Sequence, residues 1–336
     1  MRVVSYIAAV AFVVAFAGGA AQQPTVALAA GSVHQSARAV RAGDAANHAA
    51  PFVNVAGIMA SQGNHTFVTD DGTATVTIWG ANGELNGILF DGIGADPAGL
   101  ATDAAQNLYV ANTGISNVIV YGKPYTAIKL TLNDAGENTE DVAVDRAGLV
   151  GVTNYLTTSL EPGSVSLFAR NATSPCKVLR DPNWVYFYND AFDASGNLFF
   201  DGQTASGTTL VGEVSGGCAA TAITTLHVGN SISSPGGVQV SHGSILIGDV
   251  AQLAIYAYAP PEGGSLGSPT AITTLAGAVV PVTFAMEENG KHVRTADLAA
   301  NTLYAALYTY PAGAYVSKLA DHVWASGVAV YPPSRP

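Results

Sequence analysis

The chain has 336 residues, with 13 Lys and Arg against 24 Asp and Glu, a formal charge of −11. Only 11% of residues are charged and no basic run occurs, which argues against nucleic acid and anionic membrane surfaces as partners. Two separated cysteines, Cys176 and Cys218, cannot build a zinc centre.

The N-terminus opens with Met1-Arg2, then an almost wholly apolar, uncharged run from Val3 to Ala17 and the small residues Gly18-Gly19-Ala20-Ala21. This reads as a secretory signal over 1–29. The run of about 15 residues falls short of the roughly 20 that span a bilayer. Residues 30–50 are rich in Ala, Ser, Gly and His without strand alternation and are expected to be a flexible leader. Residues 51–336 are expected to form one all-β domain, secreted or periplasmic, with no membrane span after cleavage.

The first repeated element is Gly57–Gly80, GIMASQGNHTFVTDDGTATVTIWG. It aligns without a gap to Gly99–Gly122, GLATDAAQNLYVANTGISNVIVYG. Further units begin at Asp141, Asp190, Gly237 and Thr283, so the period is in the forties throughout. Within each unit a short apolar strand, a Gly/Asn/Asp turn, a second strand and a third strand follow in order. Asp103–Asn107, Asp145–Gly148, Asp193–Asn197 and Ser241–Gly243 are the first turns, where Gly and Asn supply positive φ and Asp caps the backbone. The third strands end in Trp79, Tyr121, Phe168, Tyr258 and Tyr310, aromatics expected to pack between units. Outer strands follow at Ala127–Leu132, Ala222–Leu226 and Ala271–Leu275. This period and content predict a β-propeller of four-stranded antiparallel blades. Six blades fit the length best, with seven as the alternative. The C-terminal phrase Gly327-Val-Ala-Val-Tyr-Pro is one further first-strand pattern. It either competes with Gly57–Ser61 for one slot or begins a seventh position.

Cys176 and Cys218 both follow a third strand, in consecutive units. An even count in an oxidising compartment favours a disulfide, while equivalent outer positions of neighbouring blades stand at the limit of the Cα separation a bridge tolerates.

The phrases GLATDAAQNLYVAN and DAFDASGNLFFD, each followed by a valine-rich strand, resemble the NHL-repeat propellers and the wider gluconolactonase-like and streptogramin-lyase-like superfamily. The resemblance covers residues 57–330 and concerns architecture, since such folds carry hydrolases, lyases and binding scaffolds alike. The lactonase branch would imply a divalent metal at the channel mouth, held by Glu, Asn and Asp just before innermost strands. The matching positions are Ala56, Ala98, Glu140, Asn189, Gly236, Val282 and Ser326, so only Glu140 and Asn189 carry ligating oxygens. With Asp141 and Asp190 they form the most polar part of the expected rim. Glu140, Asn189 and Asp190 are the candidate ligands for Ca²⁺ or Mg²⁺. The lyase branch implies a face His with Glu and Mg²⁺; His227, in a connection expected on the ligand-binding face, is the residue to weigh.

Trp184, Tyr186 and Tyr188 precede Asn189-Asp190 and form the densest aromatic patch, suited to a sugar or small cyclic ligand or to packing over a blade end. No nucleophile elbow or phosphate loop occurs. The sequence therefore favours a monomeric scaffold that binds a small molecule, sugar or protein through the channel mouth and loops, with no certain cofactor. The alternatives are a metal-dependent lactonase-like hydrolase and a structural cell-envelope protein.

Overall fold

The computed structural model describes residues 64–90, 96–297, 304–319 and 325–336. The expected signal, leader and Gly57–Ser61 strand lie outside them. In chain order the first strands are β1 (His65–Asp70), β2 (Thr75–Trp79) and β3 (Leu85–Phe90). The next blade holds β4 (Pro97–Thr102), β5 (Leu108–Asn112), β6 (Asn117–Tyr121) and β7 (Ile128–Asn133). The third holds β8 (Glu137–Val144), β9 (Val150–Thr157), β10 (Pro162–Phe168) and β11 (Lys177–Leu179). The fourth holds β12 (Tyr186–Phe192), β13 (Leu198–Gln203), β14 (Thr209–Val214) and β15 (Thr224–Val228). The fifth holds β16 (Pro235–Ser241), β17 (Ser244–Asp249), β18 (Ala254–Tyr258) and β20 (Ala271–Thr274), with the short β19 (Ser265–Gly267) in the connection between the last two. The sixth holds β21 (Pro281–Met286), β22 (His292–Asp297), β23 (Tyr304–Thr309) and β24 (Tyr315–Leu319), and β25 (Ala325–Tyr331) is last.

These strands form six antiparallel blades, a β-propeller. β25 is the innermost strand of the first blade and pairs with β1 from His65↔Tyr331 to Asp70↔Ala325. The C-terminal strand thus fills the contested slot, and there is no seventh blade among the described residues. Blade 4 has a fifth strand, because β19 from the β18–β20 connection pairs in parallel with β15. Helical structure among the described residues is limited to two 3₁₀ turns, Thr113–Ile115 and Gly217–Ala219.

The turns use the chemistry read from the sequence. Asp103, Asp145 and Asp193 each accept the N–H of the residue four positions on, at 2.8, 2.7 and 2.8 Å. Gln106, Gly148, Gly196 and Gly243 hold positive φ beside them. Trp79, Tyr121, Phe168 and Tyr258 are buried, and blade faces interlock through mixed clusters.

Cys176 and Cys218 are bridged, with Cα atoms 5.6 Å apart. Cys176 lies in the β10–β11 connection of blade 3 and Cys218 in the 3₁₀ turn after β14 of blade 4, so the bond ties neighbouring blades. The separation feared from the repeat does not arise. The turn carrying Cys218 lies close against blade 3, where a Cβ on Gly217 would come within 3.2 Å of Leu149.

Candidate functional site

Every inner strand carries a register shift near its start, where one extra residue bulges. The pairings fix which residues are equivalent. Leu100 faces Val110, Val142 faces Val152, Val238 faces Ile247, Phe284 faces Thr295 and Val328 faces Val68, all at the same rung. In blade 4 that rung is Asp190↔Phe200. Asp190 therefore stands where every other blade has Val, Leu or Phe. One residue earlier the ring reads Gly327, Gly99, Asp141, Asn189, Gly237 and Thr283. This corrects the sequence alignment by one residue in unit 4: Asn189, not Asp190, matches Asp141, and Tyr188 matches Glu140.

The apolar residue at this rung packs against the second strand of the preceding blade. Leu100 shares a cluster with Phe67, Val142 with Tyr109, Val238 with Phe199 and Phe284 with Leu246. Opposite Asp190 the equivalent residue is Gly151; a Cβ built there would lie 3.2 Å from Asp190 Oδ2. Two departures from the repeat thus coincide, a carboxyl for an apolar side chain and a glycine for a bulky one. Asp190 is 5% exposed, and neither of its carboxyl oxygens has a hydrogen-bond partner among the described residues.

Two further carboxyls surround it. Asp141 accepts the Asp190 N–H at 3.2 Å and the Val142 N–H at 2.8 Å, and lies over Gly99 of blade 2, where a Cβ would collide with its Oδ1 and Cα. Asp201, on β13, is fully buried; one oxygen accepts the Asn189 backbone and side-chain N–H groups at 3.0 and 3.1 Å, and the other is unpartnered. Burial pushes Asp201 up to about 7, against the hydrogen bonds from Asn189 and Gly236 that favour its charge. Burial likewise raises Asp190, with Asp141 and Asp201 adding to it. Asp141 is raised by burial above all, opposed by its two N–H donors and reinforced by Glu140 and Asp201. Among the described residues, no three His, Cys, Asp or Glu side chains are arranged to hold a metal ion.

The structure therefore brings Glu140, Asp141, Asn189 and Asp190 together at the blade 3–4 seam. It does not place the aromatics as one ligand platform. Trp184 is fully buried, stacked on Phe187 at 5.1 Å, with its indole N–H on Thr225 Oγ1 at 3.0 Å. It packs where a Cβ on Gly202 would fall, and Gly202 replaces the Asp or Asn that ends the second strand in the other blades. Tyr188 is buried too, its hydroxyl on Gln203 Oε1 at 3.0 Å. Tyr186 is part-exposed and stacks on Tyr155 at 4.9 Å. His227 sits on the outer strand β15, paired with Ser265 rather than near the channel.

The sequence reading missed Asp201, Gly151 and the second-strand column Asp70, Asn112, Asn154, Asp249 and Asp297. Asp249 takes the Ser233 N–H at 2.7 Å and Asp297 takes those of Val279 and Val280 at 3.0 and 2.7 Å, pinning each loop that enters an inner strand. A recurring Asp or Asn at one repeat position was the available signal.

A cavity of about 790 Å³ occupies the channel. It runs from the face of the first turns, with Asp103, Asp145 and Asp193, down the inner strands to Asp141 and Asp190. This face is the one opposite the strand starts. Its bore includes a ring of small residues, Ala101, Ala143, Ala191, Ala285 and Ala329, broken only by Gln239. The apolar Val144, Phe192, Val240, Met286 and Val330 line the next level. Residues 332–336 cross the mouth: His242 N–H donates to the Arg335 carbonyl at 2.7 Å, and Pro333 bridges to Glu287.

No family model matches the chain, and neither does any curated protein. Its fold does recur in solved structures. A chain from a nidogen/laminin complex superposes with a TM-score of 0.62 at 15% identity, over 81% of this chain and 100% of that one. A protein of unknown function from Bacteroides caccae gives 0.57 at 12%, over 80% and 98%. A functionally unknown protein from Desulfotomaculum acetoxidans gives 0.56 at 11%, over 81% and 99%. At these identities the likeness is one of fold.

Proposed function

We propose that this propeller is an exported binding protein that takes its ligand in the central channel. The observation that carries this reading is the open bore itself. A cavity of about 790 Å³ lies between the six inner strands, and it reaches Asp141 and Asp190, the second of which has no hydrogen-bond partner for either carboxyl oxygen among the described residues. A concave, mainly apolar site with a few convergent polar groups is what small-ligand recognition requires. Export is supported by the apolar N-terminal run and by a disulfide between exposed cysteines. No helix among the described residues is long and apolar enough to cross a membrane.

The test is a thermal-shift screen of sugars, peptides and metabolites against the native protein and an Ala101→Phe variant, whose ring is placed at a part-exposed position lining the cavity. A ligand that stabilises the native protein and not the variant supports channel binding. Equal stabilisation of both would refute it. N-terminal mass spectrometry of the expressed protein tests cleavage within residues 18–30.

A hydrolase of the lactonase type is a second reading, favoured by the unpartnered oxygens of Asp190. Glu140, Asn189 and Asp190 would hold Ca²⁺ or Mg²⁺, which would polarise a lactone carbonyl. Asn189 would ligate through Oδ1, its side-chain N–H being given to Asp201, but no three His, Cys, Asp or Glu side chains among the described residues are arranged to hold a metal ion, so the fit is poorer than for a plain binding site. Calorimetric titration with CaCl₂ and MgCl₂, on native protein and Glu140→Ala, decides it: no heat in either sinks the metal.

A further inference from the structure

We infer that the turn face carries an oxyanion site at the seam between blades 2 and 3, where Lys129, Arg146 and Arg170 together receive a carboxylate or a phosphate. The site opens off the channel and does not require a ligand in the bore.

The cavity itself marks this seam. Around the rest of the ring its lining comes only from inner strands, the turns that follow them and residues 332–336. Between blades 2 and 3 it also runs outward, past Tyr109 on β5 to Lys129 and Leu130 on β7, with Arg170 and Asn171 on the facing side. Lys129, Arg146 and Arg170 are exposed along this groove. Lys129 Nζ donates to Asn107 Oδ1 at 2.9 Å. The Arg170 side chain lies across the first turn of its own blade, where a Cβ on Gly148 would come within 2.9 Å of its Cγ. Arg146 belongs to that same turn, which the Gly148 N–H closes on the Asp145 carbonyl at 3.1 Å. Arg170 also acts across the seam: burial and Asp103 push the Tyr109 hydroxyl up, and the Arg170 charge opposes them. Three cations thus meet from two blades in a chain whose formal charge is −11. Of the five described arginines, Arg180, Arg294 and Arg335 pair with Glu137, Glu287 and Glu288. Arg146 and Arg170 make no hydrogen bond or ion pair among the described residues. The carboxylates at the seam are already engaged. Asp103 accepts the Asn107 N–H at 2.8 Å, the Asn107 side-chain amide at 2.6 Å and the Tyr109 hydroxyl at 3.3 Å. Asp145 accepts the Leu149 N–H at 2.7 Å. Two free guanidinium forks beside an ammonium match the oxygens of a carboxylate or phosphate. A neutral oxygen also accepts from such groups, but only an anion gains the Coulomb attraction of all three charges.

The experiment follows the side-chain Nε–Hε NMR signals of the ¹⁵N-arginine-labelled full chain, assigned through single Arg→Gln variants. The probes are inorganic phosphate, acetate and the neutral acetamide, added at constant ionic strength in chloride. Saturable shifts of Arg146 and Arg170 with phosphate or acetate are expected, with Arg180 and Arg294 unmoved and acetamide binding at least tenfold weaker than acetate. Arg170→Gln or Lys129→Gln should weaken the response of Arg146 at least threefold. Tighter binding of phosphate than of acetate assigns a phosphorylated ligand, and the reverse order assigns a carboxylate. Shifts of equal size in every arginine, or shifts that do not saturate, are a general salt effect and overturn the inference. Equal affinity for acetate and acetamide, or a response of Arg146 that neither variant changes, overturns it as well. The titration of the native protein is decisive by itself if the variants do not fold.

Discussion

Replacing Asp190 by valine should make this protein more stable, and more so as pH rises. Valine is close to aspartate in volume and is what blades 1, 3 and 5 already carry at this rung, as Val328, Val142 and Val238. The gain has two sources. A buried polar group without partners costs about 1–3 kcal/mol. Burying valine methyls against Leu198 and the open face of Gly151 adds about 1.5 kcal/mol. Together they give about 2.5–4.5 kcal/mol, or roughly 5–18 °C in melting temperature at about 2–4 °C per kcal/mol for a large domain. Burial, then Asp141 and Asp201, raises the folded-state pKa of Asp190. A carboxyl raised in the folded state holds its proton more tightly there than in the unfolded chain. Its penalty is absent below the unfolded value, about 4, and grows as pH climbs towards the raised folded value. The stabilisation by Asp190→Val should therefore be modest at pH 4 and largest at pH 8. Urea unfolding of both proteins at the two pH values measures it. A variant less stable than the native protein at pH 8, or a gain independent of pH, would refute the reasoning.

Other consequences are equally direct. Cys176→Ser with Cys218→Ser opens a loop with a sequence separation of 42 and should cost about 4 kcal/mol by chain entropy, read as a lower denaturation midpoint. Gly99→Ala should destabilise by about 1–3 kcal/mol or more, because its methyl meets Asp141 backbone as well as side chain; Asp141→Gly in the same chain should restore only part of the loss. Thr69→Val should cost about 1–3 kcal/mol, since Thr69 Oγ1 donates to the Ala98 carbonyl at 2.8 Å and accepts the Gly327 N–H at 2.5 Å, joining blades 1 and 2. Differential scanning calorimetry suffices for both.

The architecture was legible because it is written in local chemistry that recurs. Asp at the head of a turn, Gly or Asn within it and an aromatic at the end of the third strand mark each unit wherever the blade sits in the ring. The site was legible in part. Glu140, Asp141, Asn189 and Asp190 do converge, since adjacent blades place their inner strands side by side. Their relative heights were misread, because Asp190 was matched to Asp141 by identity. Hydrogen-bond register, which the sequence does not display, puts it one rung further along. An aspartate at an apolar position breaks the very pattern used to find the frame. Of the two alternatives for the aromatic patch, Trp184 takes the packing one, and the sequence alone could not choose because its partner, the side-chain-free Gly202, lies on another strand. The column of alanines along the inner strands, packed into the blade seams, is visible in the sequence only once those strands are superposed.

The pairing of β25 with β1 also sets an order of events. Thr69 meets Ser326 across 257 residues of chain, so the first blade is finished only once β25 has been made. Until then β1 presents an open edge, the kind of surface on which chains associate wrongly. Contacts of such long sequence separation also slow folding. The ring therefore cannot lock before β25 exists, and a chain halted short of it would keep the edge of β1 bare.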